Sequence, residues 1–350
     1  MGCDLYLNNS CSFLCDSFLS LNSSKFLILT DDNVYNLHLN VFSDLLDKIN
    51  HQVYIISNGE KSKSLSSFEK LVAFLHDNNF DRDSVIVCFG GGVVGDLGGF
   101  VASCYYRGIR YIHIPTTLIA QIDSSIGCKT GVNISNGKNI IGSFYNPCFI
   151  YTNTDFLKTL SDRDYRSGLA EAVKYAFLDS SFYDWLYKNR QGIVNRDDSL
   201  LAKLVHFCCN IKQKIIKDDP LDTKGIRYAL NFGHTFGHAL ESITAYKTYT
   251  HGEAVSIGMS MAIGFSNYTG IINKDFAQKL TFFIQSFNLI THPDSFYDVD
   301  LFISLMQKDK KNNSGLIKLI LIDPNGKTII KNNIDYKILH SFIFTFLGKC

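Results

Sequence analysis

The chain has 350 residues, of which 46% are hydrophobic and 19% are charged, and its formal net charge is +1. This composition excludes an intrinsically disordered chain. The balanced charge argues against nucleic acid as a partner, because proteins that bind it carry a basic stripe. Ten cysteines without a CxxC pair indicate reduced thiols. With neither a signal peptide nor an apolar run of membrane-spanning length, we expect a cytoplasmic protein of about two domains, with no membrane partner.

The first half of the chain alternates strand-like and helix-like segments. Short apolar runs predict strands at residues 26–30, 52–57, 84–89 and 111–115. Helical spacing of apolar residues predicts helices at 41–49 and 66–78. This alternation is typical of a parallel sheet covered by helices. We therefore expect an α/β N-terminal domain with a Rossmann-like parallel sheet over residues 1–165.

Helical periods dominate the second half. They predict helices at residues 169–178, 200–217, 235–243, 255–268 and 276–287. A short apolar run at 316–323, followed by Pro324, Asn325 and Gly326, predicts a strand and a turn. We therefore expect a mostly α-helical C-terminal domain over residues 166–350.

A glycine-rich turn, CFGGGVVGD at residues 88–96, joins a predicted strand to a predicted helix. Glycines let backbone N–H groups approach a pyrophosphate, and the start of a helix favours an anion. Asp31 and Asn33 follow the first strand and could bind a ribose or adenine edge. The glycines depart from the GxGxxG spacing, so a tight turn without a ligand stays open as an alternative.

Histidines cluster in a second informative stretch. His234 and His238 are four residues apart and share one face of a predicted helix, and His251 lies near the start of the next helix. Together with Glu171 they could bind Zn²⁺ and leave a position open for substrate. The HExxH glutamate is absent, which disfavours a zinc protease, and a packed or exposed histidine pair remains the plain alternative.

Several basic residues lie next to glycine, asparagine or a helix start. They are Arg107, Lys129, Lys138, Lys174, Lys214 and Arg227. Glycine-broken loops that carry lysine suit phosphate or carboxylate recognition. For any one of them taken alone, solvated surface charge is the alternative.

Taken together, these segments resemble the 3-dehydroquinate synthase family of sugar phosphate cyclases. The matching stretches are GGGVVGDLGGFVA (90–102), YRGIRYIHIPTTLIAQIDSSIG (106–127), GKNIIGSF (137–144), GLAEAVKY (168–175), LNFGHTFGHALE (230–241), HGEAVSIGM (251–259) and LMQKDKKN (305–312). The resemblance implies a dehydroquinate synthase-like fold, a homodimer, and an NAD-using, metal-dependent enzyme. Its metal would be Zn²⁺, with Co²⁺ as a substitute.

The resemblance also implies a role for individual residues. Zn²⁺ would be held by Glu171, His234 and His251. NAD would be held by Asp31, Asn33, Glu60, Lys63, Gly91, Gly92, Asp96, Thr116, Thr117, Lys129, Lys138, Phe156 and Thr159. The substrate would meet Arg107, Asp123, Lys129, Lys138, Asn139, Lys174, Lys214, Arg227, Asn231, His238 and Lys310.

The activity that the resemblance implies is conversion of 3-deoxy-D-arabino-heptulosonate 7-phosphate to 3-dehydroquinate and phosphate. NAD would act catalytically, because the hydride it takes is later returned. Another sugar phosphate cyclase, an NAD- and metal-dependent polyol dehydrogenase and a non-catalytic binding protein remain as alternatives. Arg227 and Lys214 favour a substrate with a carboxylate.

Two positions depart from the family pattern. Cys128 stands where the family has glycine, in an IGCKT segment, and a cysteine there requires an ordinary φ or strains the loop that carries Lys129. Asp222 could replace the acidic residue that the family has before Gly225, but the alignment leaves this assignment open.

Overall fold

The computed structural model describes residues 3–135, 137–308 and 317–348. The described residues up to Leu160, together with Leu201–Gln213, form one compact unit, and Ser161–Leu200 with the described residues from Lys214 onward form a second. The first unit thus ends near the boundary expected at residue 165 and also includes a segment from the second half of the chain.

The strands follow in chain order. They are β1 (Asp4–Leu7), β2 (Phe26–Asp31), β3 (His51–Ile56), β4 (Val85–Gly90), β5 (Arg110–Pro115), β6 (Lys129–Ile134), β7 (Gly137–Phe144), β8 (Phe149–Thr152), β9 (Leu319–Ile322) and β10 (Thr328–Lys331).

The α-helices are numbered in the same way. They are α1 (Cys11–Ser20), α2 (Asp32–His38), α3 (Ser43–Leu46), α4 (Leu65–Asp77), α5 (Gly92–Cys104), α6 (Asp162–Ala176), α7 (Ser180–Lys188), α8 (Arg190–Val194), α9 (Asp198–Asp218), α10 (His234–Ile243), α11 (His251–Tyr268), α12 (Lys274–Gln285), α13 (Val299–Gln307) and α14 (Tyr336–Leu347).

The first unit is built on a parallel sheet with the strand order β1-β8-β5-β4-β2-β3. Its central strands β2, β4 and β5 are almost wholly buried, which explains their continuous apolar runs. The four strands predicted from the sequence are confirmed. In a parallel sheet the residues that follow each strand's carboxyl end gather at one edge, where ligands of open α/β sheets bind.

The edge strand β1, its neighbour β8 and the antiparallel β6–β7 hairpin were not among the predicted strands. β1 and β8 have only four residues each, too few for a periodic signal. The helix predicted at 41–49 is wrong in length, because the structure has a 3₁₀ turn, Leu39–Phe42, followed by the single turn of α3. Its N-cap, Phe42, offers no side-chain oxygen to hold the first N–H groups.

The second unit is mostly helical, as predicted, with a small antiparallel pair, β9 and β10. Helix α11 is buried along most of its length and packs against α6, α10 and α12. Across the described ranges, none of the helices combines the length and the apolar character that a bilayer span requires.

Candidate metal centre and dinucleotide site

Glu171, His234 and His251 lie together in the second unit. Their ligand atoms are all within 4.8 Å of one another. The Nε2 atoms of His234 and His251 are 3.4 and 3.3 Å from Glu171 Oε1. Two imidazole nitrogens and a carboxylate oxygen at such spacing fit Zn²⁺, which takes these ligands in catalytic sites and keeps a further position for substrate.

Three helices supply these ligands. Glu171 lies within α6, and His234 and His251 are the first residues of α10 and α11. The start of α11 lies directly on α6, because the Gly252 N–H donates to Ser167 Oγ over 3.0 Å. A Cβ on Gly252 would lie 2.0 Å from the Ser167 carbonyl oxygen, so only glycine allows this approach. Ser167 is one turn before Glu171, and the contact therefore brings His251 to the carboxylate.

The first turn of α11 is further fixed by its cap. The Thr250 Oγ1 accepts from the Glu253 N–H, and the Glu253 carboxylate accepts from the Thr250 N–H, which forms a capping box. Arg163 grips both oxygens of Glu253, at 2.9 and 2.7 Å. Such bidentate pairs fix geometry as well as adding energy. His251 therefore begins a helix whose first turn is held firmly in position.

The Nδ1 atoms of both histidines lie beside acceptors other than Glu171. His234 Nδ1 lies 3.2 Å from the Phe232 carbonyl oxygen, and His251 Nδ1 lies 3.5 Å from Glu241 Oε2. An acceptor beside Nδ1 favours the tautomer whose Nε2 lone pair can bind a metal. Burial lowers the pKa of His234 well below its ordinary value, so this imidazole is neutral at pH 7. For His251, burial acts in the same direction, but the contacts with Glu171 and Glu241 outweigh it and raise the pKa to about 10.

Two further predicted residues adjoin this cluster. Lys174 is buried one turn after Glu171 and forms an ion pair with its carboxylate. The half-buried His238 ring lies 5.4 Å from the His234 ring and 6.2 Å from the His251 ring, measured between centroids. The structure thus brings Lys174 and His238 to the candidate metal centre.

The glycine turn predicted as a phosphate-binding element lies in the first unit. Gly91 is the N-cap of α5, and a Cβ on Gly92 would lie 3.0 Å from Ser124 Oγ. Thr116 Oγ1 and Ser124 Oγ are buried hydroxyls, and neither has a hydrogen-bond partner within the described part of the chain. A pyrophosphate or a ribose could bind here, because glycines expose the backbone N–H groups at the start of α5 and the nearby hydroxyls lack partners.

Lys63 contacts two of the other predicted residues. Its ammonium bonds to the carboxylate of Asp96 and to the amide oxygen of Asn139, and Lys63 itself is buried. Burial raises the pKa of Asp96, and the Lys63 charge opposes this rise. Nearby, Asn133 Nδ2 donates to Glu60 Oε1 over 2.7 Å. Asn133 also bonds to the Lys63 carbonyl oxygen and to the Asn139 N–H, so Glu60, Lys63, Asp96 and Asn139 are linked in one network.

Other residues expected at NAD have clear structural partners. Asp31 Oδ1 accepts from the N–H groups of Asn33 and Val34 and so caps α2. The ring of Phe156 is buried in the core beneath the sheet, which leaves its backbone as the part that could reach a ligand. Thr159 Oγ1 lies 2.7 Å from His38 Nε2.

The structure also singles out a lysine that sequence reasoning missed. Lys212 is buried, and its ammonium donates to the carboxylate and the backbone oxygen of Asp123 over 2.7 and 2.6 Å. Lys214, the residue expected in the substrate pocket, is exposed. The signal was present in the helical period, because Cys208, Cys209 and Lys212 share the buried face of α9.

Arg227 is buried in a 3₁₀ helix of the second unit, Ile226–Asn231, which follows a tight loop. Its Nη1 donates to the Pro220 carbonyl oxygen over 3.2 Å. Asp219 Oδ1 accepts from the N–H groups of Thr223 and Lys224 and so organises this loop, whereas Asp222 is exposed. Asn231 is partly buried and donates to the carbonyl oxygens of Arg227 and Tyr228. Lys310 lies outside the described residues.

The remaining predicted cations belong to the first unit. Arg107 and Lys129 are exposed and Lys138 is partly buried. Arg107 adopts a left-handed conformation with φ of 66°. Cys128 does so too, with φ of 63°, so the strained alternative considered for the IGCKT segment is the one observed. Its thiol contacts Asn146 Oδ1, and this contact fixes the residue before Lys129.

Comparisons with known proteins agree along most of the chain. Residues 53–167 match the model of the 3-dehydroquinate synthase N-terminal domain, and residues 168–312 match that of its C-terminal domain. The 3-dehydroquinate synthase of Francisella tularensis subsp. tularensis (strain WY96-3418) is 43% identical over 309 residues, covering 87% of this chain and 86% of the relative. That of Blochmanniella floridana is 41% identical over 323 residues, covering 91% and 88%.

Solved structures share the fold. A 2-deoxy-scyllo-inosose synthase complexed with carbaglucose-6-phosphate, NAD+ and Co2+ aligns with a TM-score of 0.87 at 22% identity, over 98% of this chain and 96% of that one. The 2-epi-5-epi-valiolone synthase ValA from Streptomyces hygroscopicus subsp. jinggangensis 5008, with NAD+ and Zn2+ bound, aligns with a TM-score of 0.87 at 23% identity, over 100% and 98%. With both family domains matched and relatives above 40% identity, the chain belongs to the 3-dehydroquinate synthase family.

Proposed function

We propose that this protein is a 3-dehydroquinate synthase, a phosphate-eliminating carbon–oxygen lyase. It converts 3-deoxy-D-arabino-heptulosonate 7-phosphate to 3-dehydroquinate and phosphate. The observation that carries the proposal is the Glu171, His234 and His251 cluster, found in a chain whose relatives with this name are 41–43% identical. Cysteines kept as thiols, such as the buried Cys88 and Cys209, support a cytoplasmic location, and we propose a homodimer.

The cofactors of this activity are NAD and a divalent metal, Zn²⁺ or Co²⁺. When bound, NAD takes and returns a hydride, and the metal polarises substrate oxygens and stabilises negative charge on them. Glu171, His234 and His251 hold the metal, and neutral His234 needs to lose no proton to do so. The turn at Gly91 and Gly92, with Thr116, Thr117, Asp96, Glu60 and Lys63, holds NAD.

The chain's own side chains bind and orient the substrate. Its phosphate is gripped by Arg107, Lys129, Lys138 and Asn139. Arg227 and Lys212 are assigned to its carboxylate and hydroxyls. Lys212 replaces Lys214 in this role because it is buried and already holds the Asp123 carboxylate. A buried cation is desolvated and so interacts strongly with an anion.

Proton movement is assigned to His238. Its ring is half-buried, and its centroid lies 5.4 and 6.2 Å from those of the two imidazoles assigned to the metal. Lys174 neutralises part of the charge on Glu171 and so limits the negative charge at the centre. The departing phosphate can itself accept the proton beside the new carbonyl group, which leaves His238 to the later ring-opening and closing steps.

Two alternatives predict different substrates or products. The inosose and valiolone synthases share the fold, but at 22–23% identity they inform on fold alone. A polyol dehydrogenase would accumulate NADH. The buried Arg227 favours a substrate with a carboxylate, which separates the proposed reaction from those of the other cyclases.

A substrate panel tests the assignment. The zinc-loaded protein with NAD is offered the seven-carbon keto acid phosphate, and in parallel glucose 6-phosphate and sedoheptulose 7-phosphate, which lack a carboxylate. We expect phosphate release from the keto acid alone, and Arg227→Met should abolish most of it. Release from either uncarboxylated sugar at a comparable rate would reassign the protein to another cyclase activity.

A further inference from the structure

Asn133, at the end of strand β6, connects two loops of the first unit. Its backbone N–H donates to the Lys63 carbonyl oxygen over 2.9 Å. Its Nδ2 donates to Glu60 Oε1 over 2.7 Å, and its Oδ1 accepts from the Asn139 N–H over 2.9 Å. One side chain therefore holds a residue assigned to NAD and one assigned to the substrate phosphate.

Lys63, Asn133 and Asn139 form a closed ring of contacts. The Lys63 ammonium contacts the Asn139 amide oxygen and the Asp96 carboxylate, while the Lys63 carbonyl is held by Asn133. Glu60 is exposed, so without a partner its carboxylate would sample several rotamers. The bond from Asn133 restricts it to one of them.

The backbone of Asn139 has a conformation that is unfavourable for residues other than glycine. Its φ is 53°, in the left-handed region, which asparagine tolerates better than most residues but which still costs energy. The Asn133 Oδ1 bond to the Asn139 N–H supports this backbone geometry. The same geometry places the Asn139 amide against Lys63.

Asparagine suits this position because its side chain carries both a donor and an acceptor. Aspartate would keep the acceptor for Asn139 but lose the donor for Glu60 and place two carboxylates side by side. Alanine would lose both bonds.

We propose that Asn133 is a positioning residue for NAD. It acts directly on Glu60, and on Lys63 through the Asn139 amide, and so fixes these two side chains before the cofactor binds. Preorganisation of this kind strengthens binding, because less ordering remains to be done on association. The inference rests on the proposed function, which assigns Glu60 and Lys63 to NAD and Asn139 to the substrate.

Calorimetric titration of the full-length, zinc-loaded protein with NAD tests the proposal. Asn133→Ala should weaken NAD binding about tenfold, the size expected for losing a hydrogen bond to a charged group. Asn133→Asp should weaken it further, because its carboxylate repels Glu60. The KM for NAD should rise in parallel, while kcat at saturating NAD and saturating substrate stays within about twofold, since the substitution touches no group at the metal centre.

Ser135→Ala provides the matched control, because Ser135 is exposed in the same hairpin. It should bind NAD as the wild type does. An NAD affinity of Asn133→Ala within twofold of the wild type would overturn the proposal. If the alanine variant does not fold, Asn133→Asp, which keeps the bonds to Lys63 and Asn139, decides the question by the same criterion.

A double-mutant cycle separates positioning from a merely structural role. In a Glu60→Ala background, the effect of Asn133→Ala on NAD affinity should shrink, because its main target is gone. Full additivity of the two changes would contradict the proposal. If Glu60→Ala alone leaves NAD binding unchanged, the assignment of Glu60 in the proposed function fails instead.

Discussion

At the residue scale, three imidazoles lie near the Glu171 carboxylate, and their positions suggest different roles. His234 and His251 place Nε2 within 3.4 Å of Glu171, and each has an acceptor on its other nitrogen. His238 stands beside them with its ring half-buried. The arrangement is consistent with the proposed roles, two imidazoles as metal ligands and the third in proton transfer.

This division predicts two distinct phenotypes. His251→Ala should lower zinc affinity by more than about 100-fold, because even the partners of metal ligands are worth 10–100-fold. His238→Ala should retain about one zinc per chain but lose most of its turnover. Zinc content after dialysis, with kcat, measures both. Full zinc content in His251→Ala, or zinc loss in His238→Ala alone, would contradict the assignment.

The two lysines of α9 predict a second contrast. Lys212→Met should lower kcat/KM by about 10–150-fold, since a hydrogen bond to a charged group is worth about 1.5–3 kcal/mol. Lys214→Met removes an exposed charge and should change kcat/KM less than threefold. Steady-state phosphate release measures both variants, and the opposite ranking would return the role to Lys214.

Residue types were easier to predict from the sequence than residue positions. Glu171, His234 and His251 could be chosen because a family motif surrounds each of them. Proximity to a motif led to Lys214 and could not show that Lys212 is the buried lysine, because burial depends on which face of α9 packs against Asp123. Asn133 could not be predicted as a site residue, because two of its hydrogen-bond partners, Glu60 and Lys63, are distant in sequence.

At the element scale, the start of α11 governs where His251 stands. Gly252 is in contact with Ser167, and Glu253 closes both the capping box and the pair with Arg163. Two consecutive residues after the ligand thus fix the helix by different physical means.

Gly252→Ala tests the close approach. Its Cβ would lie 2.0 Å from the Ser167 carbonyl oxygen, so α11 must move away from α6, and zinc affinity should fall with it. Overpacking of this kind costs about 1–3 kcal/mol of unfolding free energy. Gly264→Ala in the same helix is the control, since its Cβ would meet the Phe342 ring at 3.3 Å. Equal zinc affinity in both variants would contradict the account.

The Glu253 carboxylate predicts a pH effect on stability. Burial works to raise its pKa, but its bonds with Arg163 and the Thr250 N–H prevail and hold the pKa below its ordinary value. A group whose pKa is depressed by folding stabilises the protein above its unfolded pKa, and this contribution is lost as the pH falls through the folded pKa. Glu253→Gln should therefore be less stable than the wild type at pH 7, and the difference should shrink below about pH 4.

The expected difference at pH 7 is modest, roughly 1 kcal/mol or less, because the Arg163 side chain is 53% exposed. Thermal unfolding midpoints of the two proteins at pH 7 and pH 3.5 measure it. A difference that grew on acidification would have the wrong sign for this explanation.

Elements with a strong period were predictable from sequence, and short ones were not. The long helices α4, α9, α10, α11 and α12 follow clear apolar spacing, and the buried strands β2 and β4 are continuous apolar runs. β1 pairs with β8, Asp4 beside Phe149, across a separation of 145 residues that no local sequence pattern encodes. The β6–β7 hairpin, which carries Lys129, Lys138 and Asn139, likewise escaped prediction.

At the scale of the whole molecule, the chain divides into a unit with the parallel sheet and a mostly helical unit. The order of these two classes of structure could be predicted from the change of period along the chain. The inclusion of Leu201–Gln213 in the first unit could not be predicted, because helix α9 is continuous in sequence. Contacts such as that of Lys212 with Asp123 decide to which unit this segment belongs.

In the proposed reaction NAD is used but not consumed. The most direct measurement follows phosphate release from 3-deoxy-D-arabino-heptulosonate 7-phosphate by the zinc-loaded protein, with NAD present at a small fraction of the substrate, while absorbance reports NADH. We predict many equivalents of phosphate for each NAD and no net accumulation of NADH. NADH that grows in step with substrate loss, or no phosphate at all, would contradict the proposed function.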